Sequence, residues 1–121
     1  MKKYCLPILL LFLAVGCSQP QSGKMPITTF DTDMVGSSDM LVDVRTPGEF
    51  GQGHLEGAVN IDWLAPDFKS KWEDIPKEGT IYLYCKVGGR SGEAARYLDS
   101  LGYTVVDLTG GWDAYQAAQK P

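Results

Sequence analysis

The cysteine at position 85 is the residue of this sequence best suited to covalent chemistry. It lies in the run Cys85-Lys86-Val87-Gly88-Gly89-Arg90-Ser91, which follows a stretch of apolar and β-branched residues. Gly88 and Gly89 allow the backbone to curl, so that successive N–H groups can point at one anionic atom. A thiolate held in such a loop is a nucleophile, and the pattern therefore indicates chemistry at sulfur.

Positive charge collects around the same loop. Lys86 and Arg90 carry formal charges, and a helix beginning near Arg90 or Ser91 would add the partial positive charge of its N-terminus. These sources favour thiolate over thiol at Cys85. Each cation also has an alternative role outside substrate binding: Arg90 could tie the loop to the body of the protein, and Lys86 could be a solvated surface charge.

The segments around the loop predict an α/β fold that presents Cys85 at the edge of a sheet. Short β-rich runs alternate with helical or polar stretches, as is typical of a parallel sheet covered on both faces. Ligands of such sheets bind at the carboxyl ends of the strands, where Cys85 lies. The predicted strands are 27–30, 40–45, 58–61, 80–85 and 104–108.

Three helices are predicted between and after these strands. In the clearest, 91–101, apolar residues recur every three or four positions, and Ser91 is a suitable N-cap. A second lies at 67–75, where we expect Trp72 to be a core residue rather than a binding platform. The third, 112–119, closes the chain.

Three blocks in chain order resemble the rhodanese superfamily. The pattern Cys85-x-x-Gly88-x-Arg90-Ser91 is similar to its active-site loop. Asp43-Val44-Arg45 and the residues that follow it to Ile61 resemble its N-terminal signature, and the stretch from Gly102 to Trp112 its C-terminal one. The resemblance spans about residues 27–119. It implies a rhodanese-like three-layer α/β fold, with a five-stranded, mainly parallel sheet flanked by helices.

The resemblance also implies a sulfurtransferase. In this family the loop cysteine takes a sulfane sulfur from a donor such as thiosulfate and holds it as a persulfide, until a nucleophilic acceptor removes it. Cys85 would be the nucleophile, and the substrate would be bound by the active-site loop, which is Lys86, Val87, Gly88, Gly89, Arg90 and Ser91. The implied partners are a small sulfur-containing anion as donor and a thiol, cyanide or a protein thiol as acceptor. No cofactor is implied.

The length of the loop distinguishes the predicted sulfurtransferase from phosphatases and arsenate reductases of related fold. Related folds with five residues between the cysteine and the arginine enclose a larger oxyanion and act as phosphatases or arsenate reductases. Four residues separate Cys85 from Arg90 here. A ring that is one residue shorter fits a sulfur atom better than a tetrahedral phosphate, so we expect sulfur transfer.

Two functions of other classes remain open. The first is a rhodanese-fold binding module that uses the pocket only to hold a partner. The second is a thiol redox sensor, in which Cys85 is oxidised rather than sulfurated. The presence of Cys85, Arg90 and both loop glycines favours the enzyme, because a pure binding module needs no cradle for a thiolate.

Three other polar residues are expected to be structural. Asp43 and Arg45 lie at the end of the predicted second strand, where a hydrogen bond or an ion pair is favoured over catalysis. His54 is the only histidine, and its position in the family is that of a structural residue in a turn rather than a general base. No cluster of His, Cys and carboxylate has metal-ligand spacing, so no metal is predicted.

The first sixteen residues predict an export signal. Lys2 and Lys3 precede an apolar run, 6–15, of about half the length of a membrane-spanning helix. Ala14-Val15-Gly16-Cys17 resembles the lipobox of bacterial lipoproteins, which implies cleavage before Cys17 and its lipidation. We therefore expect a signal peptide at 1–16, a polar tether at 17–26 and a rhodanese domain at 27–121. The domain would be held at a membrane on the periplasmic side of the cell envelope.

Loss of the signal changes the charge and the cysteine content. The eleven basic residues less Lys2 and Lys3 leave nine, against fifteen acidic ones, a net charge of −6. Such an acidic chain argues against nucleic acid as a partner. With Cys5 removed and Cys17 acylated, Cys85 has no disulfide partner in its own chain, which is unusual for an exported protein. The alternative to a reactive thiol is a small buried hydrophobic residue.

Overall fold

Residues 21–121 are described by the computed structural model, and they form a five-stranded β-sheet with helices on both faces. The strands are β1 (Gly23–Pro26), β2 (Met40–Asp43), β3 (Val59–Asn60), β4 (Thr80–Tyr84) and β5 (Thr104–Thr109). The α-helices are α1 (Pro47–Gly51), α2 (Phe68–Lys71), α3 (Gly89–Ser100) and α4 (Gly111–Gln119). The predicted signal peptide at 1–16 and Cys17 lie outside the described residues.

All paired strands of the sheet run parallel, in the order β1-β5-β4-β2-β3. This confirms the predicted α/β fold with a five-stranded sheet flanked by helices. Because the strands are parallel, the segments that follow β2, β3 and β4 leave from one edge of the sheet. Backbone bonds continue across that edge, since the N–H of Val44 donates to the Tyr84 carbonyl at 3.0 Å and the N–H of Trp63 to the Val44 carbonyl at 3.1 Å. The loop that begins at Cys85 opens on this carboxyl edge.

Successive side chains of β4 point to opposite faces of the sheet, and this alternation divides the core in two. Ile81 and Leu83 lie with Cys85 in a cluster that packs against α3, whereas Tyr84 lies in the cluster under α4. These four residues are at most 1% exposed. Burial of one large apolar side chain stabilises a fold by about 1.5–3 kcal/mol. Trp72, also 1% exposed, belongs to the first cluster, which confirms that it is a core residue.

The prediction of a first strand at 27–30 is wrong, because β1 is the preceding segment. Ile27 instead begins a short 3-10 helix, Ile27–Thr29. β1 is an edge strand that pairs only with β5 and is largely exposed. Its position therefore depends on backbone hydrogen bonds, and its side chains show no apolar pattern that would predict a strand. Ser22, just before it, accepts the N–H of Val105 at 2.9 Å. The last four residues of the segment predicted as a tether, 17–26, are therefore part of the sheet.

The other four strands overlap their predicted ranges, and the helices differ by a few residues at their ends. Helix α3 begins at Gly89, and its N-cap is Gly88 rather than the predicted Ser91. The helix predicted at 67–75 is shorter, because α2 ends at Lys71 and the chain continues as turns. No helix in the described part of the chain is long and apolar enough to cross a membrane.

The start of α4 packs directly on the segment that leaves β4. The N–H groups of Trp112 and Asp113 donate to the carbonyl oxygens of Cys85 and Lys86, at 2.8 and 3.0 Å. Gly111 has a φ of +62°, and a Cβ on it would lie 2.5 Å from the Cys85 carbonyl oxygen. The absence of a side chain at position 111 therefore allows α4 to approach the loop this closely.

Helix α1, which the sequence analysis did not predict, is linked to α3 by an ion pair. The Glu49 carboxylate forms a capping box with Thr46. It also accepts two hydrogen bonds from the Arg90 guanidinium group, with Nη1–Oε1 and Nη2–Oε2 distances of 2.7 and 3.0 Å. The hydrogen bonds from Arg90 are the main reason that the pKa of Glu49 is lowered from 4.5 to about 2. The first turn of α3 is thereby fixed to a helix 41 positions earlier in the chain.

The first prediction concerns Gly111. Gly111→Ala should lower the free energy of unfolding by more than about 2 kcal/mol, because a left-handed alanine is strained and its methyl group overlaps backbone atoms of the loop. Urea unfolding checks this. Gly48→Ala in α1 is the matched control, since a Cβ there meets nothing within 4 Å. Equal stability of the Gly111→Ala variant and the wild type would refute the close approach.

The second prediction concerns the pH dependence of the Glu49–Arg90 pair. Glu49→Gln should lower the free energy of unfolding by about 1 kcal/mol at about pH 6, because glutamine keeps the capping box but not the charge. The pKa of Glu49 is lower in the folded protein, so this stabilisation is complete above pH 4.5 and is lost as the pH falls through about 2.

The difference between wild type and Glu49→Gln should therefore shrink when urea unfolding is measured at about pH 2.5 instead of about pH 6. Glu56→Gln, at an exposed glutamate, is the control for removing a surface carboxylate. A difference that stays constant over this pH range would contradict the assignment of the lowered pKa to Glu49.

Candidate active site

Cys85 directly follows the last residue of β4, and its side chain lies in the core cluster against α3. Its exposed fraction is 1%. The Sγ atom accepts a hydrogen bond from the N–H of Gly88 at 3.0 Å and lies 3.5 Å from Ser91 Oγ. One backbone contact and one side-chain contact thus hold the thiol at the base of the loop. Cys85 is a free cysteine.

The backbone of the loop turns at Gly88, whose φ of +125° is accessible to glycine and strained for other residues. The Gly88 carbonyl accepts the N–H of Gly92 at 3.0 Å and the Ser91 hydroxyl at 3.2 Å. Gly89, Arg90 and Ser91 form the first turn of α3, where N–H groups have no acceptor within the helix. Together with the helix dipole, these groups give the loop partial positive charge.

Both formal cations of the loop are engaged in ion pairs. Lys86 Nζ lies 2.9 Å from Asp113 Oδ2, and Arg90 holds Glu49 through two parallel bonds. The hydrogen bond to Glu49 raises the pKa of Arg90 further above its usual value. Arg90 thus does tie the loop to the body of the protein, which is the structural role left open by the sequence. Val87, between the two cations, is 65% exposed.

Asp43 and Arg45 form a buried ion pair where β2 ends. Arg45 Nη2 lies 2.7 Å from Asp43 Oδ2 and also donates to the Gly53 carbonyl at 2.6 Å, and the two side chains are at most 3% exposed. Burial acts to lower the pKa of Arg45, but the hydrogen bonds and charge of Asp43 outweigh it, so the pKa is raised overall. The structural role predicted for this pair is confirmed.

Tyr84 and His54 both contact backbone near the turn after α1. The Tyr84 hydroxyl accepts the N–H of Leu55 at 2.9 Å, and burial raises the pKa of this phenol. His54 is exposed, its Nδ1 lies 2.8 Å from the Phe50 carbonyl oxygen, and its ring stacks on that of Phe50 at 3.6 Å. These are the contacts of a structural residue in a turn, as predicted for His54. Residues 21–121 hold no group of His, Cys, Asp or Glu arranged for a metal ion.

Three acidic residues near the loop were not singled out by the sequence analysis. Glu49 could have been found from the sequence as part of a helix start, since Thr46-x-x-Glu49 has the spacing of a capping box. Asp113 pairs with Lys86 across 27 positions, which no local pattern indicates. Asp107 on β5 is 3% exposed, burial raises the pKa of its carboxyl group, and its Oδ1 has no hydrogen-bond partner in the described part of the chain.

Known protein families and curated proteins give a consistent match. The family described as the rhodanese-like domain matches residues 30–118. The thiosulfate sulfurtransferase PspE of Escherichia coli is 34% identical over 77 residues, which are 64% of this chain and 74% of that protein. Thiosulfate sulfurtransferase 16 of Arabidopsis thaliana is 34% identical over 94 residues, 69% of this chain and 78% of that protein.

Solved structures agree with this match. A Staphylococcus saprophyticus protein superimposes with a TM-score of 0.67 at 28% identity, over 78% of this chain and 92% of that one. The structure of a rhodanese with anions from Escherichia coli gives a TM-score of 0.53 at 33% identity, over 63% of this chain and 89% of that one. Because the family matches residues 30–118 and two relatives at 34% identity are named thiosulfate sulfurtransferases, this chain belongs to the rhodanese-like domain family.

Proposed function

We propose that this protein is a sulfurtransferase that carries sulfur as a persulfide on Cys85. The observation that carries the proposal is the contact of Cys85 Sγ with the N–H of Gly88 at 3.0 Å, inside a loop that opens a helix. A sulfur in that position is next to one hydrogen-bond donor and to the partially positive N-terminus of α3, and both stabilise negative charge on it. The names of the relatives, thiosulfate sulfurtransferases among them, support the same activity.

With thiosulfate as donor, the reaction has two displacement steps. The Cys85 thiolate attacks the terminal sulfur, a new S–S bond forms, and sulfite leaves with the electron pair of the broken bond. In the second step an acceptor such as cyanide attacks the outer sulfur, thiocyanate leaves, and the thiolate of Cys85 is restored. The N–H of Gly88 and the first turn of α3 would stabilise the persulfide anion between the steps.

A redox sensor is disfavoured because such sensors often place a second, resolving cysteine next to the reactive one. Cys85 is the one free cysteine in residues 21–121. A binding module is disfavoured because the Gly88 conformation and the Gly88–Cys85 contact serve the sulfur rather than a partner surface. Both alternatives are outcomes of the experiment below.

The third prediction identifies the nucleophile. After incubation with thiosulfate, the wild type should gain one sulfur atom by mass spectrometry and lose it on addition of cyanide, and Cys85→Ala should gain none. Thiocyanate formation should fall by more than about 10³-fold in Cys85→Ala, because residues 21–121 contain no other cysteine that could form the covalent intermediate. Cys17→Ser is the matched control and should gain sulfur as the wild type does. Thiocyanate produced by pure Cys85→Ala would refute the role of Cys85.

We further propose that the domain is lipid-anchored at Cys17 on the periplasmic face of a membrane. Support comes from Lys2 and Lys3, the apolar run 6–15 and the lipobox-like Ala14-Val15-Gly16-Cys17. Several acyl chains on one residue bind a bilayer firmly, since each buried CH₂ contributes about 0.8 kcal/mol.

The fourth prediction tests that anchor. The wild type should sediment with membranes and incorporate radiolabelled palmitate, whereas Cys17→Ser should do neither or should remain as an unprocessed precursor. Cys85→Ala is the control for replacing a cysteine, and it should be labelled like the wild type. Equal labelling of the wild type and Cys17→Ser, or recovery of the wild type wholly in the soluble periplasmic fraction, would count against lipidation.

A further inference from the structure

The charge balance at the opening of the loop bears on the choice of sulfur donor. Lys86 and Arg90 are each matched by a carboxylate, with Lys86 Nζ at 2.9 Å from Asp113 and Arg90 Nη1 at 2.7 Å from Glu49. The four side chains therefore have no net formal charge. Val87, the one residue between the cations that is not a glycine, is apolar and 65% exposed.

A dianionic donor needs more than this arrangement provides. Thiosulfate carries two negative charges and must approach a sulfur that is itself negative when it reacts. Attraction by a cation already paired with a carboxylate falls off much faster with distance than attraction by a free cation, because the pair acts as a dipole. The chain as a whole has a net charge of −4, so its long-range field also repels a dianion.

The burial of the nucleophile restricts the shape of the donor as well. Cys85 is 1% exposed and lies at the base of the loop, so the sulfur to be transferred has to be at the end of the donor molecule. The persulfide group of an organic persulfide, R–S–SH, has such a terminal sulfur and carries at most one negative charge, so a donor with an uncharged R is at most a monoanion. Its remaining group R can stay outside the loop, beside the apolar Val87.

We infer that the site takes its sulfur from organic persulfides in preference to thiosulfate, and that Asp113, by neutralising Lys86, is a residue that sets this preference. The inference rests on the proposed sulfurtransferase function. In the reaction, the Cys85 thiolate attacks the terminal sulfur of R–S–SH and forms a new S–S bond. The S–S bond of the donor breaks, the thiolate R–S⁻ leaves with its electron pair, and the proton stays on the transferred sulfur as Cys85–S–SH.

The fifth prediction compares two donors with three proteins. The donors are thiosulfate and the persulfide of N-acetylcysteine methyl ester, each assayed for kcat/KM of sulfur loading on Cys85. Asp113→Asn leaves Lys86 without its carboxylate, and should raise kcat/KM for thiosulfate by about fivefold while changing that for the persulfide less than about twofold. Asp99→Asn removes the same charge from the exposed end of α3 away from the loop, and should change neither.

A dependence on ionic strength provides a second readout that a change in folding alone would not produce. Added salt should reduce the thiosulfate kcat/KM of Asp113→Asn, because an unpaired Lys86 attracts the dianion through a screened field. The persulfide kcat/KM of the same variant should change little.

The outcomes separate this inference from the proposed function. A wild type that loads sulfur from both donors, with the higher kcat/KM for the persulfide and the stated response to Asp113→Asn, supports the inference. A wild type that prefers thiosulfate, or an Asp113→Asn variant with an unchanged ratio of the two kcat/KM values, overturns the inference and leaves the sulfurtransferase function standing. A wild type that loads sulfur from neither donor overturns both.

Discussion

The two backbone hydrogen bonds between the loop and α4 hold the site in its observed form. The backbone curls so that the N–H of Gly88 faces the Cys85 sulfur, and the carbonyl oxygens of Cys85 and Lys86 need donors of their own. The N–H groups of Trp112 and Asp113 supply them to Cys85 and Lys86. Asp113 contributes twice, since its N–H binds the Lys86 carbonyl and its carboxylate binds the Lys86 ammonium group. One turn of helix thereby sets both the shape and the charge of the loop.

The polar groups under the carboxyl edge make the surrounding backbone rigid rather than reactive. Asp43, Arg45 and the Gly53 carbonyl form a continuous set of hydrogen bonds, and Asn60 donates to the carbonyls of Asp43 and Arg45. Removing one partner of such a buried ion pair costs about 3–5 kcal/mol, because the remaining charge is left without compensation. This network holds the ends of β2 and β3 in position beside the start of the loop.

The features that depend on local pattern could be predicted from the sequence. The nearly continuous apolar runs of β2 and β4 indicated the sheet, and the apolar stripe of α3 indicated its helix. The run from Cys85 to Ser91 indicated the loop. Strand β1 could not be found in this way, because an edge strand made of exposed residues is specified by backbone pairing with β5. The partners of Lys86 and Arg90 lie 27 and 41 positions away, and only the folded chain brings them together.

The direction of β1 determines which edge of the sheet lies nearer to a surface to which the N-terminus would be attached. β1 runs parallel to β4 with only β5 between them, so Gly23 lies at the amino edge of the sheet and Cys85 at the opposite, carboxyl edge. Ser22 already bonds to β5, and only four residues, 18–21, lie between it and Cys17, so the two Cα atoms are at most about 18 Å apart. A lipid at Cys17 would therefore keep the domain close to the bilayer with Cys85 directed away from it. The sulfur would be presented to partners in the aqueous compartment rather than to proteins embedded in the same membrane.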